Sequence, residues 1–260
     1  MDAYIINILK FGSIIVGIII LGILEALYPL LSFRHKVRHD AANIGLWIIN
    51  ITIMNIIYGL FLIGVYQILQ DKVTGLLEIV SLPPLATFIV ALLLIDLWMY
   101  CIHIINHKVP FLWKFHKVHH ADSRINRTTG LRFHTGEMLV TIVLRVAITP
   151  FLGIELWHFL AYEMILLPFL LVQHGNIRIT ELIDRPFRPI IATNRMHHVH
   201  HSQKEYNTNF GSILSIWDRL FGSYQEPKNI EKIKYGLANN MLRQESLGTL
   251  LVMPFEKRKK

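Results

Sequence analysis

Cysteine is nearly absent from the sequence. Cys101 is the single cysteine among 260 residues, so the chain can form no internal disulfide. It also cannot build a zinc or iron–sulfur site from thiolates, because those sites take several cysteines. Cys101 lies in an apolar run, which predicts a buried and unreactive thiol. Metal or redox chemistry in this chain would therefore need other ligands.

Charged residues are also scarce. They make up 17% of the chain, whereas about 25% is usual for a soluble domain. Apolar residues make up 53%, and they form long runs through the first two-thirds of the sequence. A helix needs about 20 such residues to cross a bilayer. The composition therefore predicts an integral membrane protein built from helices.

Common cofactor and nucleic-acid motifs are missing as well. We find no GxGxxG fingerprint, no CxxCH haem attachment site and no HExxH zinc motif. No helix-turn-helix, zinc-finger or RNA-binding pattern accompanies the net charge of +8. Since the basic residues flank the apolar runs, this charge favours an anionic membrane surface over nucleic acid.

Five apolar runs are candidates for membrane helices. The fourth and fifth are short, so a hairpin that enters the membrane only halfway is an alternative to two full spans. The first run lacks the basic start and cleavage site of a signal peptide, and we expect it to remain as a helix. The runs cover about Ile5–Phe33, Asn43–Ile68, Pro84–Ile105 and, as a hairpin that turns near Gly153 and Trp157, Met138–Val172.

Basic residues predict the orientation of these helices. Of the 26 lysines and arginines, all but Lys10, Lys72 and Arg145 fall on one side of the predicted spans. The more basic side faces the cytoplasm, which predicts a multi-pass protein of the inner (cytoplasmic) membrane. Segments 103–137 and 174–201 then lie on this same side, where their side chains can meet. One long helix in place of the hairpin would separate them.

Histidine is unusually frequent, with 14 residues, most of them between His103 and His201. Residues three or four apart share one face of a helix, so each of three groups would present its imidazoles together. Eight imidazoles exceed the needs of one metal. Two metals with about four protein ligands each would keep positions open for O2, which favours iron over a closed zinc site. The groups are His103 and His107; His116, His119 and His120; and His197, His200 and His201.

Three other histidines fall outside this pattern. A single histidine is ordinarily a surface residue or a hydrogen-bonded core residue. His35 and His39 are four residues apart in a basic loop, which predicts an interfacial position. His158 follows the predicted far-side turn, so we expect it not to be a ligand.

Longer motifs surround the grouped histidines. They are WKFHKVHH at 113–120, TTGLRFHTGE at 128–137, QHGN at 173–176 and NFGSILSIWDRLFGSY at 209–224. With the HxxxH at 103–107 and HHVHHS at 197–202, roughly residues 84–225 resemble the fatty acid hydroxylase and sterol desaturase superfamily, its bacterial branch most closely. The resemblance implies a di-iron centre that uses O2 and two electrons for C–H hydroxylation, desaturation or ether-lipid cleavage.

The resemblance also implies a ligand set. It comprises the eight grouped histidines and His174, which would lie at the end of the fifth span. Some eukaryotic members carry another histidine four residues earlier. This chain has Leu170 there, so water or Gln173 would replace that ligand.

Neighbouring positions predict supporting residues. Asp96 shares a helix face with His103 and His107, and its carboxylate could hold an imidazole in the required tautomer. The alternative is an aspartate paired with a basic residue for packing alone. His134 and Glu137 are three residues apart and would face the site as outer ligands or proton carriers, unless they only begin the next helix.

Five further residues in or after the last histidine group have predicted positions. We expect His198 to be an outer hydrogen-bond donor to the site. Trp217 and Phe221 look like a packing cover. Asp218 and Arg219 would form a surface ion pair of little energetic value.

The sequence thus predicts an all-α integral membrane protein. It would have about four to five transmembrane or re-entrant helices and a cytoplasmic helical cap that holds a histidine-rich dimetal site. Residues 1–83 would form N-terminal transmembrane helices, residues 84–225 the catalytic domain and residues 226–260 a cytoplasmic tail.

The predicted function is an O2-dependent di-iron oxidoreductase that hydroxylates or desaturates a C–H bond of a membrane lipid. The lipid would be fatty acyl, sterol-like, carotenoid or ether-linked, and a purified sample could contain zinc instead of iron. Because the chain has no redox-cofactor motif, a separate reductase, ferredoxin or cytochrome must supply electrons. The alternative is a histidine-rich membrane protein that binds or transports metal, which should carry polar residues at mid-membrane.

Overall fold

The computed structural model describes residues 3–32, 37–57, 63–70, 72–237 and 246–256. These residues form α-helices and short 3-10 turns, and β-structure among them is limited to isolated bridges. The helices are α1 (Ala3–Leu27), α2 (Val37–Ile57), α3 (Ile63–Gln70), α4 (Leu76–Val80), α5 (Pro84–Lys108), α6 (Pro110–His120), α7 (Thr135–Leu152), α8 (Leu156–His174), α9 (Glu181–Asp184), α10 (Asn194–His200), α11 (Ile216–Leu220) and α12 (Leu247–Val252). The predicted all-α class is confirmed.

Four helices are long and apolar enough to cross a membrane, namely α2, α5, α7 and α8. The described apolar part of α1, Gly12–Leu27, is shorter. Along α1, the side chains of Ile15, Ile19 and Ile23 are each more than half exposed, at 56%, 57% and 54%. Their spacing of four residues places them on one helix face, as expected for a surface that contacts lipid.

The predicted second span, Asn43–Ile68, falls partly outside the described residues. Its described parts are helical, since α2 extends to Ile57 and α3 begins at Ile63. Residues 58–62 between them lie outside the described residues. The first predicted run extends too far, since α1 ends at Leu27.

The predicted hairpin is confirmed, and both of its helices are long enough to span. Gly153 ends α7 with φ +67° and ψ 34°, in the left-handed region that glycine adopts without strain. Its N–H donates to the carbonyl oxygen of Pro150 at 3.1 Å. Helix α8 begins at Leu156, so α8 returns to the side from which α7 started. Thr135 and His174 therefore lie at the same end of the hairpin.

Buried polar contacts fix α1 to that end of the bundle. Glu25 of α1 is 1% exposed. Its carboxylate accepts hydrogen bonds from the backbone N–H groups of Arg127 at 2.7 Å and Asn176 at 2.9 Å. It also forms an ion pair with the Arg127 guanidinium at 2.5 Å. The N-terminal helix is thus attached to the chain on both sides of the hairpin.

The C-terminal helix packs on the same end. Leu250 and Met253 form a buried apolar cluster with Leu46 of α2 and Val118 of α6. This part of the predicted tail, residues 226–260, is therefore packed against the bundle. The division of the chain into three domains stays a prediction.

A close approach of two backbones at the hairpin turn generates a test of the fold. A Cβ atom on Gly75 would lie 2.2 Å from both the Cα and the N of Gly153. Because backbone atoms cannot yield as a flexible side chain does, Gly75→Ala should lower the free energy of unfolding by about 1–3 kcal/mol. Thermal unfolding in detergent measures this loss. Gly64→Ala is the control, since a Cβ there meets nothing within 4 Å and should change little. Equal effects of the two changes would contradict the described contact.

Candidate metal centre

A one-residue joint brings the first two histidine groups together. Val109 ends α5 and precedes α6 with φ −88° and ψ 115°, and Pro110 occupies the first turn of α6. Proline disfavours a helical conformation in the residue before it, yet its own fixed φ suits the start of a helix. The chain therefore breaks at Val109 and restarts at once. Helix α6 folds back on α5, so that the ring centroids of His107 and His116 lie 4.7 Å apart.

Two short helix ends supply the remaining histidines. His174 is the last residue of α8, and His197 and His200 lie on α10, with His201 just after it. The hydroxyl of Thr193 caps α10 by accepting from the N–H of Met196. In addition, the side-chain amide of Asn194 donates to three backbone carbonyls at the end of α8, those of Val172, Gln173 and Gly175. These bonds hold α10 against α8.

Nine histidines converge into two clusters. Within each cluster the candidate ligand atoms lie within 4.8 Å of one another. We call the first the five-histidine cluster and the second the four-histidine cluster. The five-histidine cluster consists of His103, His107, His116, His120 and His200, and the four-histidine cluster consists of His119, His174, His197 and His201. These nine are the residues that the sequence and the family resemblance single out as ligands.

The four-histidine cluster has nitrogen spacings that suit one metal ion. The Nε2 atom of His174 lies 3.1 Å from that of His119, 2.9 Å from that of His197 and 3.1 Å from that of His201. The Nε2 atoms of His197 and His201 are also 3.1 Å apart. Two nitrogens bound to one metal at about 2.1 Å lie roughly 3.0–3.4 Å from each other, depending on the bond angle. The four nitrogens could therefore share one ion.

In the five-histidine cluster, hydrogen bonds to Nδ1 orient three of the imidazole rings. Nδ1 of His103 donates to the carbonyl oxygen of Phe210 at 2.9 Å, and Nδ1 of His200 donates to that of Thr208 at 2.7 Å. Nδ1 of His116 donates to the Glu137 carboxylate at 2.7 Å. In each of these rings Nε2 is buried and has no hydrogen-bond partner among the described residues. Outer partners that fix the tautomer in this way are typical of histidines that bind metals.

Burial favours the neutral form of imidazoles in both clusters. It lowers the pKa of His200 to about 3, although a hydrogen bond to a backbone carbonyl partly opposes the shift. Burial also lowers the pKa of His119, His120, His197 and His201, and neighbouring imidazoles lower it further. Neutral imidazole is the form that binds a metal ion. The donor set therefore fits two transition-metal ions.

Glu137 contacts the centre as predicted, whereas His134 does not. The Glu137 carboxylate accepts from His116 and, at 3.3 Å, from the amide of Asn106. His134 uses both ring nitrogens elsewhere. Its Nδ1 accepts from the N–H of Gly136 at 2.9 Å, and its Nε2 donates to the carbonyl oxygen of Leu251 at 3.0 Å. The prediction of an outer site role for His134 is corrected to that of a cap that begins α7.

Asp96 supports the centre from a distance and does not bond an imidazole among its described contacts. Its carboxylate accepts from the hydroxyl of Tyr162 at 2.6 Å, from the indole of Trp217 at 2.8 Å and from the N–H groups of Ile213 and Leu214. The predicted contact with a ligand histidine is therefore wrong. Asp96 instead fastens the segment that carries Phe210, the partner of His103. The Trp217 indole is one of its donors rather than a packing cover alone.

Asp218 is buried rather than on the surface. It is 0% exposed and accepts from the N–H groups of Phe210 and Gly211 at 2.6 and 2.9 Å and from the hydroxyl of Ser223 at 2.6 Å. Burial raises the pKa of its carboxyl group, and these hydrogen bonds oppose that shift. The predicted surface pair with Arg219 is thus wrong. Asp218 shapes the loop that presents the Phe210 carbonyl to the ligands.

His198 lies just outside the clusters, in agreement with its predicted position. Its Nε2 donates to the carbonyl oxygen of Gly175 at 3.1 Å, and its Nδ1 accepts from the hydroxyl of Tyr235 at 2.7 Å. Gly175 directly follows His174. His158 lies at the other end of α8, where its Nδ1 accepts from the N–H of Glu155.

His39 and Asp122 form a buried pair that the sequence analysis missed. His39 is 3% exposed rather than interfacial, and its Nε2 contacts both oxygens of Asp122 at 2.9 Å. Burial alone would raise the pKa of Asp122, but His39 and Arg132 hold it well below its usual range. Asp122 follows His120 by two residues. A carboxylate so close to a histidine pair is the sequence feature that could have indicated a buried role for Asp122. His35 lies outside the described residues.

Leu170 occupies the position at which some eukaryotic members of the superfamily carry a histidine, and it contacts the centre through its backbone. The carbonyl oxygen of Leu170 accepts from Nδ1 of His174 at 2.6 Å. Nearby, the Gln173 amide donates to the carbonyl oxygens of Ala192 and Ser212. Its Oε1 is buried without a hydrogen-bond partner among the described residues. Replacement of the missing ligand by Gln173 or by water stays a prediction.

Two aromatic rings cover the five-histidine cluster. The Trp113 ring centroid lies 5.1 Å from that of His107 and 5.5 Å from that of His120. Tyr206 stacks on Trp113 with centroids 5.3 Å apart. Both aromatic side chains are half-buried. They separate the buried imidazoles from the surface of the helical cap.

A cavity of about 550 Å³ adjoins both clusters. Its wall includes the imidazoles of His103, His116, His119, His174 and His197. The rest of the wall comes largely from apolar side chains of α2, α5, α7 and α8, such as Ile51, Met99, Val146 and Leu166. The volume lies within the range of about 300–1,000 Å³ that is usual for small-molecule sites. An apolar molecule could therefore reach the nitrogen clusters from within the helix bundle.

Known proteins with related sequences each match more than half of the chain. An ornithine lipid hydroxylase, OlsE of Rhizobium tropici, is 30% identical over 155 residues, which is 59% of this chain and 46% of that protein. Human alkylglycerol monooxygenase is 29% identical over 157 residues (59% and 33%). Cholesterol 25-hydroxylase of Rattus norvegicus is 26% identical over 151 residues (54% and 47%).

The chain thus spans less than half the length of each of these relatives. No solved structure matches it significantly. The sequence profile of the fatty acid hydroxylase family matches residues 88–223, which is more than half of the chain and contains all nine clustered histidines. The chain belongs to the fatty acid hydroxylase family.

Proposed function

We propose that this protein is an O2-dependent di-iron enzyme that hydroxylates or desaturates a C–H bond of a membrane lipid. One observation carries the proposal. Two adjacent sets of imidazoles border an apolar cavity between helices that are long enough to span a bilayer. The names of the related proteins, which include lipid hydroxylases and monooxygenases, support the same class of reaction.

The donor set favours two redox metals over a structural zinc site. A structural zinc ion takes four ligands and keeps no open position. Here the four- and five-histidine clusters are neighbours, and His119 of one set lies beside His120 of the other. Imidazole suits iron, and paired ions can hold a reacting oxygen species between them. Two irons bound by these nine histidines would supply O2 activation.

The overall reaction fixes what the protein must provide. Hydroxylation converts R–H, O2, two electrons and two protons into R–OH and one water. Desaturation uses the same inputs, removes two hydrogens from the lipid and gives two waters. The protein must therefore position one carbon beside the clusters, exclude bulk water and admit electrons from outside. The apolar wall of the cavity meets the first two requirements.

The residues around the clusters would hold the ligands in place during the reaction. Three groups each accept a hydrogen bond from the Nδ1–H of a ligand ring, namely the Glu137 carboxylate and the backbone carbonyls of Phe210 and Thr208. With Nδ1 protonated, Nε2 is the nitrogen that remains available to a metal. A buried carboxylate beside His116 also adds negative charge next to a site of high positive charge. This charge raises the basicity of the imidazole and stabilises the bound cation.

Electrons would come from a separate donor protein on the cytoplasmic side of the inner membrane. The chain has no redox-cofactor motif of its own, and its net charge is +8. Trp113 and Tyr206 lie between the five-histidine cluster and the surface of the cap. The exposed lysines Lys114 and Lys204 are close to them in sequence. An acidic reductase, ferredoxin or cytochrome would dock near this point, attracted by the basic surface.

Removal of a ligand tests the metal assignment. The purified protein should contain two irons per chain and should consume O2 when reductant and membrane lipid are added. His174→Ala should lower the iron content to about one per chain and abolish O2 consumption, because an open ligand position weakens one site. His158→Gln, at the far end of the same helix, should keep both irons. Elemental analysis and an oxygen electrode give the two readouts. Metal uptake into vesicles without O2 consumption would support the transporter alternative instead.

Glu137 provides a second test, of an indirect role. Glu137→Gln should lower the affinity of the five-histidine cluster for iron by about 10–100-fold, since a neutral amide is a weaker partner for His116 than a carboxylate. Iron retained after dialysis against a series of chelators measures this change. Glu155→Gln, at the far-side turn, should leave retention unchanged. Unaltered retention in Glu137→Gln would show that the carboxylate does not act through the ligand.

The docking of an acidic donor can be tested by charge reversal. Lys114→Glu with Lys204→Glu should slow turnover with a reduced [2Fe–2S] ferredoxin by about ten-fold or more at low salt, because electrostatic steering is lost. The difference should shrink as salt rises. Lys72→Glu, on the opposite side, is the matched control. Dithionite-driven turnover should be the same in all variants. Equal ferredoxin rates for all three proteins would exclude this docking point.

A further inference from the structure

A charged pair lies inside the helix hairpin, at the wall of the cavity. Arg145 of α7 and Glu163 of α8 form an ion pair with an N–O distance of 3.0 Å. Both residues line the same cavity as the clustered histidines. Their side chains are only 17% and 25% exposed. The proposed oxidation of a C–H bond gives neither residue a role.

The helix geometry measures how far the pair lies from the metal centre. Arg145 is eight residues from Glu137, which contacts His116, and a rise of 1.5 Å per residue places it about 12 Å along α7. Glu163 is eleven residues from His174, which places it about 16 Å along α8. Both positions are near the middle of their helices. The pair therefore lies at mid-membrane depth, well separated from the clusters.

Simple fastening of α7 to α8 does not account for the pair. Charged side chains are unfavourable in a membrane span, and apolar side chains of similar size could pack two helices as well. Furthermore, Nε of Arg145 is buried and has no hydrogen-bond partner among the described residues. A buried N–H donor without an acceptor destabilises the protein. Because this nitrogen is itself buried, a molecule in the cavity would meet the other guanidinium N–H groups of Arg145, whose side chain is 17% exposed and lines the cavity.

The charges of Arg145 and Glu163 restrict which chemical groups of a ligand could accept a hydrogen bond from Arg145. Glu163 already balances the charge of Arg145, so a carboxylate or phosphate in the cavity would add an unbalanced negative charge in an apolar region. A pure hydrocarbon offers no acceptor at all. A neutral oxygen, such as that of an ester, an ether or a hydroxyl group, accepts a hydrogen bond without adding charge.

We propose that the lipid in this cavity carries a neutral oxygen acceptor that binds Arg145, about 12–16 Å from the carbon presented to the histidine clusters. This inference rests on the proposed function and narrows its substrate class. It selects ester, ether or hydroxyl lipids over free fatty acids and hydrocarbon carotenoids. The distance between Arg145 and the clusters would also fix which carbon is oxidised.

Binding of three probes of equal chain length tests the inference without any need for turnover. The probes are methyl stearate, stearate and octadecane, titrated into the purified, metal-loaded protein in detergent, with tritiated methyl stearate as the competed ligand. The intact protein should bind methyl stearate at least about ten-fold more tightly than octadecane, as one hydrogen bond to a charged donor allows. Stearate should bind more weakly than the ester.

Two variants separate the role of the donor from the stability of the fold. Arg145→Met removes the donor and the ion pair that it forms with Glu163, whereas Arg145→Met with Glu163→Leu removes both charges. In the double variant, methyl stearate and octadecane should bind equally, with iron content unchanged as the control for folding. A retained preference for the ester would overturn the proposal, and so would equal binding, tightest binding of stearate or no binding of any probe to the intact protein.

The outcomes also separate this inference from the proposed function. If the protein oxidises lipid but shows no preference for the ester, the inference fails and the proposed function stands. If the ester is preferred and the preference depends on Arg145, but no O2 is consumed, the binding site stands and the proposed oxygenase function fails.

Discussion

The structure depends on nine imidazoles that converge on two neighbouring points, each with one ring nitrogen. Such rings are unfavourable in a buried position unless both nitrogens have partners. Hydrogen bonds settle one nitrogen in His103, His116, His174 and His200. A bound metal would satisfy the other. Much of the remaining architecture serves to keep the backbone carbonyls and the one carboxylate of Glu137 in the positions that this arrangement requires.

That support extends through several segments that are distant in sequence. The carbonyl oxygen of Phe210 accepts a hydrogen bond from Nδ1 of His103, and Asp218 holds the loop in which Phe210 lies. Asp96, within a membrane-spanning helix, bonds the next part of that loop. A substitution at Asp96 would therefore disturb the orientation of His103, although Asp96 does not bond that imidazole. The same logic explains why a carboxylate is present in a helix that is otherwise apolar.

Spacing along the sequence predicts well which grouped histidines converge, and it predicts their hydrogen-bond partners poorly. The intervals of three and four residues depend only on helix geometry, so they predict which imidazoles share a face. The partners of Asp96, His134, His39 and Asp218 depend on which distant segments meet, and no local pattern carries that information. Asp218 is an example, because its sequence neighbours Trp217 and Arg219 do not indicate that its carboxylate accepts from backbone N–H groups and from the Ser223 hydroxyl. The hairpin was predictable from the glycine at its turn.

The hairpin of α7 and α8 has a consequence for how the molecule is made. Five of the clustered histidines precede it in the chain, and the other four follow once α8 has returned. His200 completes the first cluster, and the second needs His174, His197 and His201. Neither set is whole until the ribosome has passed residue 201 and both helices have entered the bilayer. Loading of the proposed metals would therefore be a late event of biogenesis, and a chain stalled before the hairpin would expose half-built sites to the cell's free metals.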